Sequence, residues 1–194
     1  MLLSHDRLLA TPVMSLQTGS ELARTSKILV DPRDLTVVAY ELDGNMLDEH
    51  PSFLMPVDVR ELSNMGLIVD SSDEFVGLDD VIKIKQVFDY KFELLGLDVI
   101  DDKKHKLGKV QGYHVDSGSF SVQQLVVKRP LLRSFGETEL LINRSQVVEV
   151  SNSYIKVKST SEAEPAKQAI REYTNPFRAG SVQPEAIEFE SRWS

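Results

Sequence analysis

Leu107 to Asp116 reads LGKVQGYHVD, and Leu22 to Asp31, 85 positions earlier, reads LARTSKILVD. In this register Arg24 falls on Lys109, Val30 on Val115 and Asp31 on Asp116. Leu35 and Val37 fall on Phe120 and Val122 at the same spacing. Upstream, Leu9 to Ser15 (LATPVMS) meets Leu95 to Asp101 (LGLDVID). Downstream, Leu54-Met55-Pro56 falls near Leu141-Ile142-Asn143, and Leu67-Ile68-Val69 falls near Tyr154 to Val157. Each match is weak alone, but all keep the same order, which is the signature of a duplicated unit.

Each copy reads as short strands divided by turns. Leu35 to Leu42 (LTVVAYEL) and Phe120 to Val127 (FSVQQLVV) are rich in the β-branched and aromatic side chains that suit a pleated surface. Thr18-Gly19 and the run Asp101 to Lys106 are hairpin candidates. In the turn Asp31-Pro32-Arg33-Asp34 proline presets φ, and in Asp116-Ser117-Gly118-Ser119 glycine is expected to supply a positive φ. Many short strands with regular turns predict small barrels, whose closure removes exposed strand edges. Leu78 to Phe88 (LDDVIKIKQVF) fits a helix at Val81, Ile84 and Phe88, with Asp79 or Asp80 as cap; its β-branched content fits a strand. A short helix leading into an extended link is the preferred reading. Glu162 to Tyr173 predicts a second short helix capped by Ser161, and the sequence beyond it reads as a flexible tail.

These blocks resemble the PRC-barrel family, as two copies in tandem from about Leu8 to Lys158. The second copy carries the pattern in Leu95, Gly96, Val99, Leu107-Gly108-Lys109-Val110, Asp116, Leu141-Ile142, Ser145 and Val147. The first departs at Ala23-Arg24-Thr25, where alanine replaces the usual glycine, and carries a longer Asp43 to Ser52 loop. The resemblance implies an all-β fold of two small barrels, each followed by a short helical or irregular segment, with no general enzymatic role. The family occurs in the H subunit of photosynthetic reaction centres and in the C-terminal half of the ribosome maturation factor RimM, where it supports binding to a ribosomal protein and pre-ribosomal particles. The expected organisation is 1–89 for the first barrel with its connector, 90–160 for the second, and 161–194 for the helix and tail.

Composition narrows the classes further. The 194 residues are 41% hydrophobic and 27% charged, with a net charge of −8, which suits a globular chain. The absence of cysteine excludes a disulfide scaffold, an iron–sulfur site, a thiolate zinc site and a cysteine nucleophile. The N-terminal apolar runs are broken by His5, Asp6 and Arg7, so neither a signal peptide nor a membrane span is read, and a cytoplasmic location is expected. The charge is uneven. Residues 1–89 hold 7 basic and 16 acidic side chains, residues 90–160 hold 11 and 8, and residues 161–194 hold 4 and 6.

Two clusters make the second copy basic: Lys103, Lys104, Lys106 and Lys109 around a hairpin, and Lys128, Arg129 and Arg133 around Pro130. They read either as a solvated tip or as a patch for RNA or an acidic protein. A third reading sets the basic and acidic barrels against each other, within one chain or between two. The four histidines fall in no metal-binding frame, although His105 and His114 could meet across two strands. Asp79-Asp80 and Asp101-Asp102 are adjacent pairs and suit turns and caps better than acid–base work. No phosphate-binding loop or nucleophile elbow occurs. No catalytic residue, cofactor or metal is therefore expected. Phe177, Phe189 and the single Trp193 either fold the tail back onto a barrel or form a short docking motif. The expected function is a non-enzymatic protein-interaction module, with a ribosome- or RNA-associated factor as the alternative and homo-oligomerisation as a third reading.

Overall fold

The computed structural model describes residues 1–129 and 139–158. The expected helix over Glu162–Tyr173, the tail with Trp193, and Arg133 lie outside the described residues. The described chain is all-β with one α-helix. The first half contributes β1 (Leu2–Ser4), β2 (Pro12–Ser15), β3 (Glu21–Asp31), β4 (Thr36–Asp43), β5 (Ser52–Leu54), β6 (Glu61–Ser63), β7 (Gly66–Val69) and β8 (Phe75–Gly77). Helix α1 (Ile82–Tyr90) follows. The second half contributes β9 (Asp98–Ile100), β10 (Lys106–Asp116), β11 (Ser121–Lys128), β12 (Glu139–Asn143), β13 (Val147–Val150) and β14 (Tyr154–Val157).

The repeat written in the sequence is repeated in detail by the backbone. The long hairpin β3–β4 pairs Val30 with Val37 and Asp31 with Thr36; β10–β11 pairs Val115 with Val122 and Asp116 with Ser121. Both hairpins carry two register shifts, at Thr25/Lys27 and Leu29/Val30 in one and at Val110/Gly112 and His114/Val115 in the other. Such bulges bend and twist a strand, so equal placement gives the two hairpins equal curvature. The parallel pair Val13 with Leu67 is matched by Val99 with Ile155. A 3₁₀ turn, at Pro56–Asp58 and at Arg144–Gln146, leads into the edge strand of each half.

The hairpin turns correct one expectation. The left-handed residue is not Gly118 but Leu35 in the first half (φ 54°) and Phe120 in the second (φ 50°). Each donates its amide to the carbonyl of the turn aspartate, Leu35 to Asp31 at 2.7 Å and Phe120 to Asp116 at 2.8 Å. Those carboxylates accept turn amides as well, Asp31 from Arg33 and Asp116 from Gly118 and Ser119. The Thr18-Gly19 turn follows expectation, with Gly19 at φ 70°.

The halves join around an approximate two-fold axis. Val37 donates to the carbonyl of Phe120 at 2.7 Å, and its counterpart Val122 donates to the carbonyl of Leu35 at 2.8 Å. This places Thr36 opposite Ser121 and makes one sheet, in the order β13-β14-β9-β10-β11-β4-β3-β2-β7-β6. The lead-in segments then cross over. Strand β1 precedes the first repeat but pairs with β10 of the second, Leu3 opposite Val115. Helix α1 precedes the second repeat and packs on β3 and β4 of the first.

This exchange alters the expected picture of closed barrels. Among the described residues no pairing closes either half on itself. β12 pairs only with β11, β13 only with β14 and β6 only with β7. Strand edges that closure would hide are left at the ends of the sheet. The core, in turn, is shared: Leu3, Leu8, Val30 and Val37 belong to the same buried cluster as Val115, Val122, Leu125 and Ile155.

Helix α1 resolves the ambiguity of Leu78 to Phe88. Ile84 and Val87 are buried against Leu29, Ala39 and Phe53, and Phe88 meets Phe53 edge to face at 5.7 Å. Covering this outer face explains why Ile28-Leu29-Val30 is apolar throughout: the strand is buried on both sides. The cap is Val81 with no side-chain bond, rather than Asp79 or Asp80. Asp80 instead accepts the Gly77 amide at 2.7 Å, and Asp79 pairs with Lys85. The connection between β4 and β5 spans 44–51; residues 130–138 of its counterpart lie outside the described residues.

Candidate functional site

Of the basic residues read from the sequence, those among the described residues (Lys103, Lys104, Lys106, Lys109, Lys128 and Arg129) fall on one end of the β9–β10–β11 sheet. Lys106 opens β10, and Lys109 stands directly opposite Lys128 in the β10–β11 register. Lys103 and Lys104 lie in the turn between β9 and β10, with Lys104 left-handed at φ 65°. Arg129 follows Lys128 at the end of β11. Two like charges opposite one another in a ladder repel, so this end of the sheet is held by other forces. The β10–β11 ladder pairs the strands here, and Gly108 lets them approach, since a Cβ there would stand 2.2 Å from the Lys128 carbonyl oxygen. Only glycine lets β10 and β11 come this near.

The four lysines of the first cluster are not equivalent. Asp98 of β9 reaches Lys106 at 2.8 Å and Lys109 at 3.2 Å, and Lys109 also donates to the Gly96 carbonyl. The Lys106 ammonium, ahead of that of Lys109, holds the Asp98 carboxyl below its ordinary range against a partial desolvation cost. Lys103, Lys104 and Lys128 are exposed and have no ion pair among the described residues; Arg129 is half-buried and also has none there. These four are the cations of the clusters without an ion pair among the described residues.

The neighbouring aspartate has a structural task. Asp101 accepts the His105 amide at 2.7 Å and meets its Nδ1 at 3.0 Å, closing the turn that presents Lys103 and Lys104. His105 and His114 do not meet: His105 belongs to this turn, and His114 lies in β10 opposite Ser4 and Gln124. Among the described residues no three His, Asp or Glu side chains are grouped to hold a metal ion. No described helix is long and apolar enough to cross a membrane.

Sequence reasoning missed a second feature, because it arises where the halves meet. A cleft of about 570 Å³ lies between the β1 lead-in, the β6–β7 hairpin and the β10–β11 turn. Its floor is apolar, with Leu3, Leu8, Leu67 and Val115, and it also holds the Tyr40 ring. No spacing in the sequence connects Arg7, Tyr40 and Ser117; only the crossed lead-in brings them together.

Fold and surface thus define an all-β protein of two related halves, one of which carries a basic edge. No protein-family model matches the chain, and no curated protein matches it.

Proposed function

We propose that the protein is a non-catalytic interaction module, built from two PRC-barrel-type repeats, that docks an acidic protein surface on the basic end of its second half. The observation that carries this reading is the set Lys103, Lys104, Lys128 and Arg129, gathered on one sheet end without acidic partners among the described residues. Charge gathered in this way raises encounter rates and selects partners of opposite sign. The acidic first half, with 16 acidic against 7 basic side chains over 1–89, disfavours docking of a long polyanion along the whole molecule.

An RNA or ribosomal-particle partner is the second reading, favoured by the same four cations. Affinity capture from the native source separates the two when it is run with and without nuclease. The module reading expects a protein retained after nuclease and lost with Lys103→Glu, Lys104→Glu and Lys128→Glu together. Loss of all captured material on nuclease treatment, or capture indifferent to the three reversals, contradicts it. Lys106 and Lys109 are left intact in this test, since their reversal would also disturb Asp98.

A further inference from the structure

We propose that the segment Glu185–Trp193 of this chain docks on the basic end of the second half and competes there with an acidic partner. The contact itself goes beyond the docking reading above; its regulatory consequence rests on that reading.

The chain delivers the segment to this place. Strand β14 runs parallel to β9, with Tyr154 opposite Asp98 and Lys156 opposite Ile100. Both strands therefore end on the same side. Lys158, the last described residue, leaves β14 beside the turn that carries Lys103 and Lys104. From β14 through β9 and β10 to Lys128 on β11 is three strand spacings, about 15 Å. The 26 residues 159–184 separate Lys158 from Glu185, which is ample chain for that span. Such a tether holds the segment near the basic end at an effective concentration on the order of millimolar. A contact of millimolar strength is then enough to populate the docked state.

Charge selects the surface. Lys158 is exposed and has no ion pair among the described residues, and it joins the six cations already placed at this end. Four carboxylates lie among them: Asp98, Asp101, Asp102 and Glu139, the last opposite Lys128 in the β11–β12 ladder. Cations keep the excess even with all four counted against them. The segment reads EAIEFESRW, with Glu185, Glu188 and Glu190 against the single Arg192. Its Ile187, Phe189 and Trp193 are interleaved with those acids. An apolar pair adjoins the cations to receive them. Val126 shares a face of β11 with Lys128 and stands opposite Leu141, which is 42% exposed.

The first half supplies an internal comparison. Its turn between β2 and β3, at 16–20, reads LQTGS and carries no charge, where the second half has Lys103 and Lys104. The pair Lys109 with Lys128 is answered there by Arg24 with Asp43, and Arg24 is held by Glu21 at 2.7 Å. Only the second half presents unpaired cations at this end of its hairpin.

Acrylamide quenching of Trp193, the single tryptophan, tests the contact in the full chain. Protection at low salt is expected, and its loss in about 1 M NaCl. Lys103→Glu with Lys104→Glu, or Glu188→Lys with Glu190→Lys, should weaken docking about fivefold. All four reversals together should restore protection. The lysines are exposed, so these changes spare the core. Poly-L-glutamate, as an acidic probe, should expose Trp193. Quenching equal in every variant overturns the proposal, as does protection that the exchanged charges fail to restore. So does protection that rises with protein concentration, which places the segment on a second copy, or protection indifferent to poly-L-glutamate. Trp193 protected while affinity capture ignores the lysine reversals supports the contact and defeats the docking reading. Trp193 unprotected while capture obeys them defeats the contact alone.

Discussion

At the scale of single residues, the two halves reach the same packing by different assignments of one small residue. In the second half the glycine is on β10, at Gly108, facing Lys128. In the first half its counterpart is Ala23, and the glycine lies across the hairpin at Gly44, where a Cβ would stand 3.2 Å from the Ala23 Cα. Where the second half has glycine at 108, the first has alanine at 23, which faces Gly44 just past the end of β4. Gly108→Ala should cost about 2 kcal/mol or more, since the clash is with backbone that cannot swing aside. Gly44→Ala should be destabilising, because its tightest contact is with the Ala23 Cα at 3.2 Å, and a urea titration would measure the loss. An unchanged urea midpoint would show that the backbone there has room for the methyl.

Asp31 also belongs to this scale. The Arg33 guanidinium, whose hydrogen bond outweighs the cost of burial, holds its carboxyl below the ordinary carboxylate range, with smaller help from the Arg33 amide and from Lys83. A carboxyl lowered in the folded state adds stability above its unfolded value, about 4, that is lost as pH falls through the folded value. Asp31→Asn should therefore flatten the acid limb of a stability–pH curve below about pH 4. An unchanged slope would show that this pair contributes nothing.

Among the elements, α1 is the clearest test of packing. Its buried side chains Ile84 and Val87 cover the outer face of β3 and β4. Ile84→Ala should cost about 2–5 kcal/mol by chemical denaturation. A loss below about 1 kcal/mol would mean that the helix only rests on the sheet. This is also the scale at which legibility changes. The repeat, its long hairpins and the short helix are readable because β-branched runs and the spacing of 85 lie along the chain. In the second hairpin turn the left-handed residue is Phe120 rather than Gly118, and Leu35 takes the same conformation in the first; each binds the carbonyl of its turn aspartate. The exchange of β1 and α1 between halves joins Leu3 to Val115 and Ile84 to Leu29, and no local pattern encodes such distant pairs. The same reason hid Tyr40 and Arg7, whereas the lysine cluster was legible because it is contiguous. The Asp98 carboxylate that occupies two of those lysines became visible only when β9 was placed beside β10.

For the whole molecule, the net charge of −8 is divided between an acidic first half and a basic edge on the second. The two-fold hydrogen bonds of Val37 and Val122, the crossed β1 and α1, and the shared core bind these halves into one body. The shared core and sheet thereby fix the direction of the basic edge relative to the acidic half. Differential scanning calorimetry tests this unity most directly. The account predicts one endotherm whose calorimetric and van't Hoff enthalpies agree. Two separate transitions, or a calorimetric enthalpy well above the van't Hoff value, would contradict it and show two halves that unfold independently.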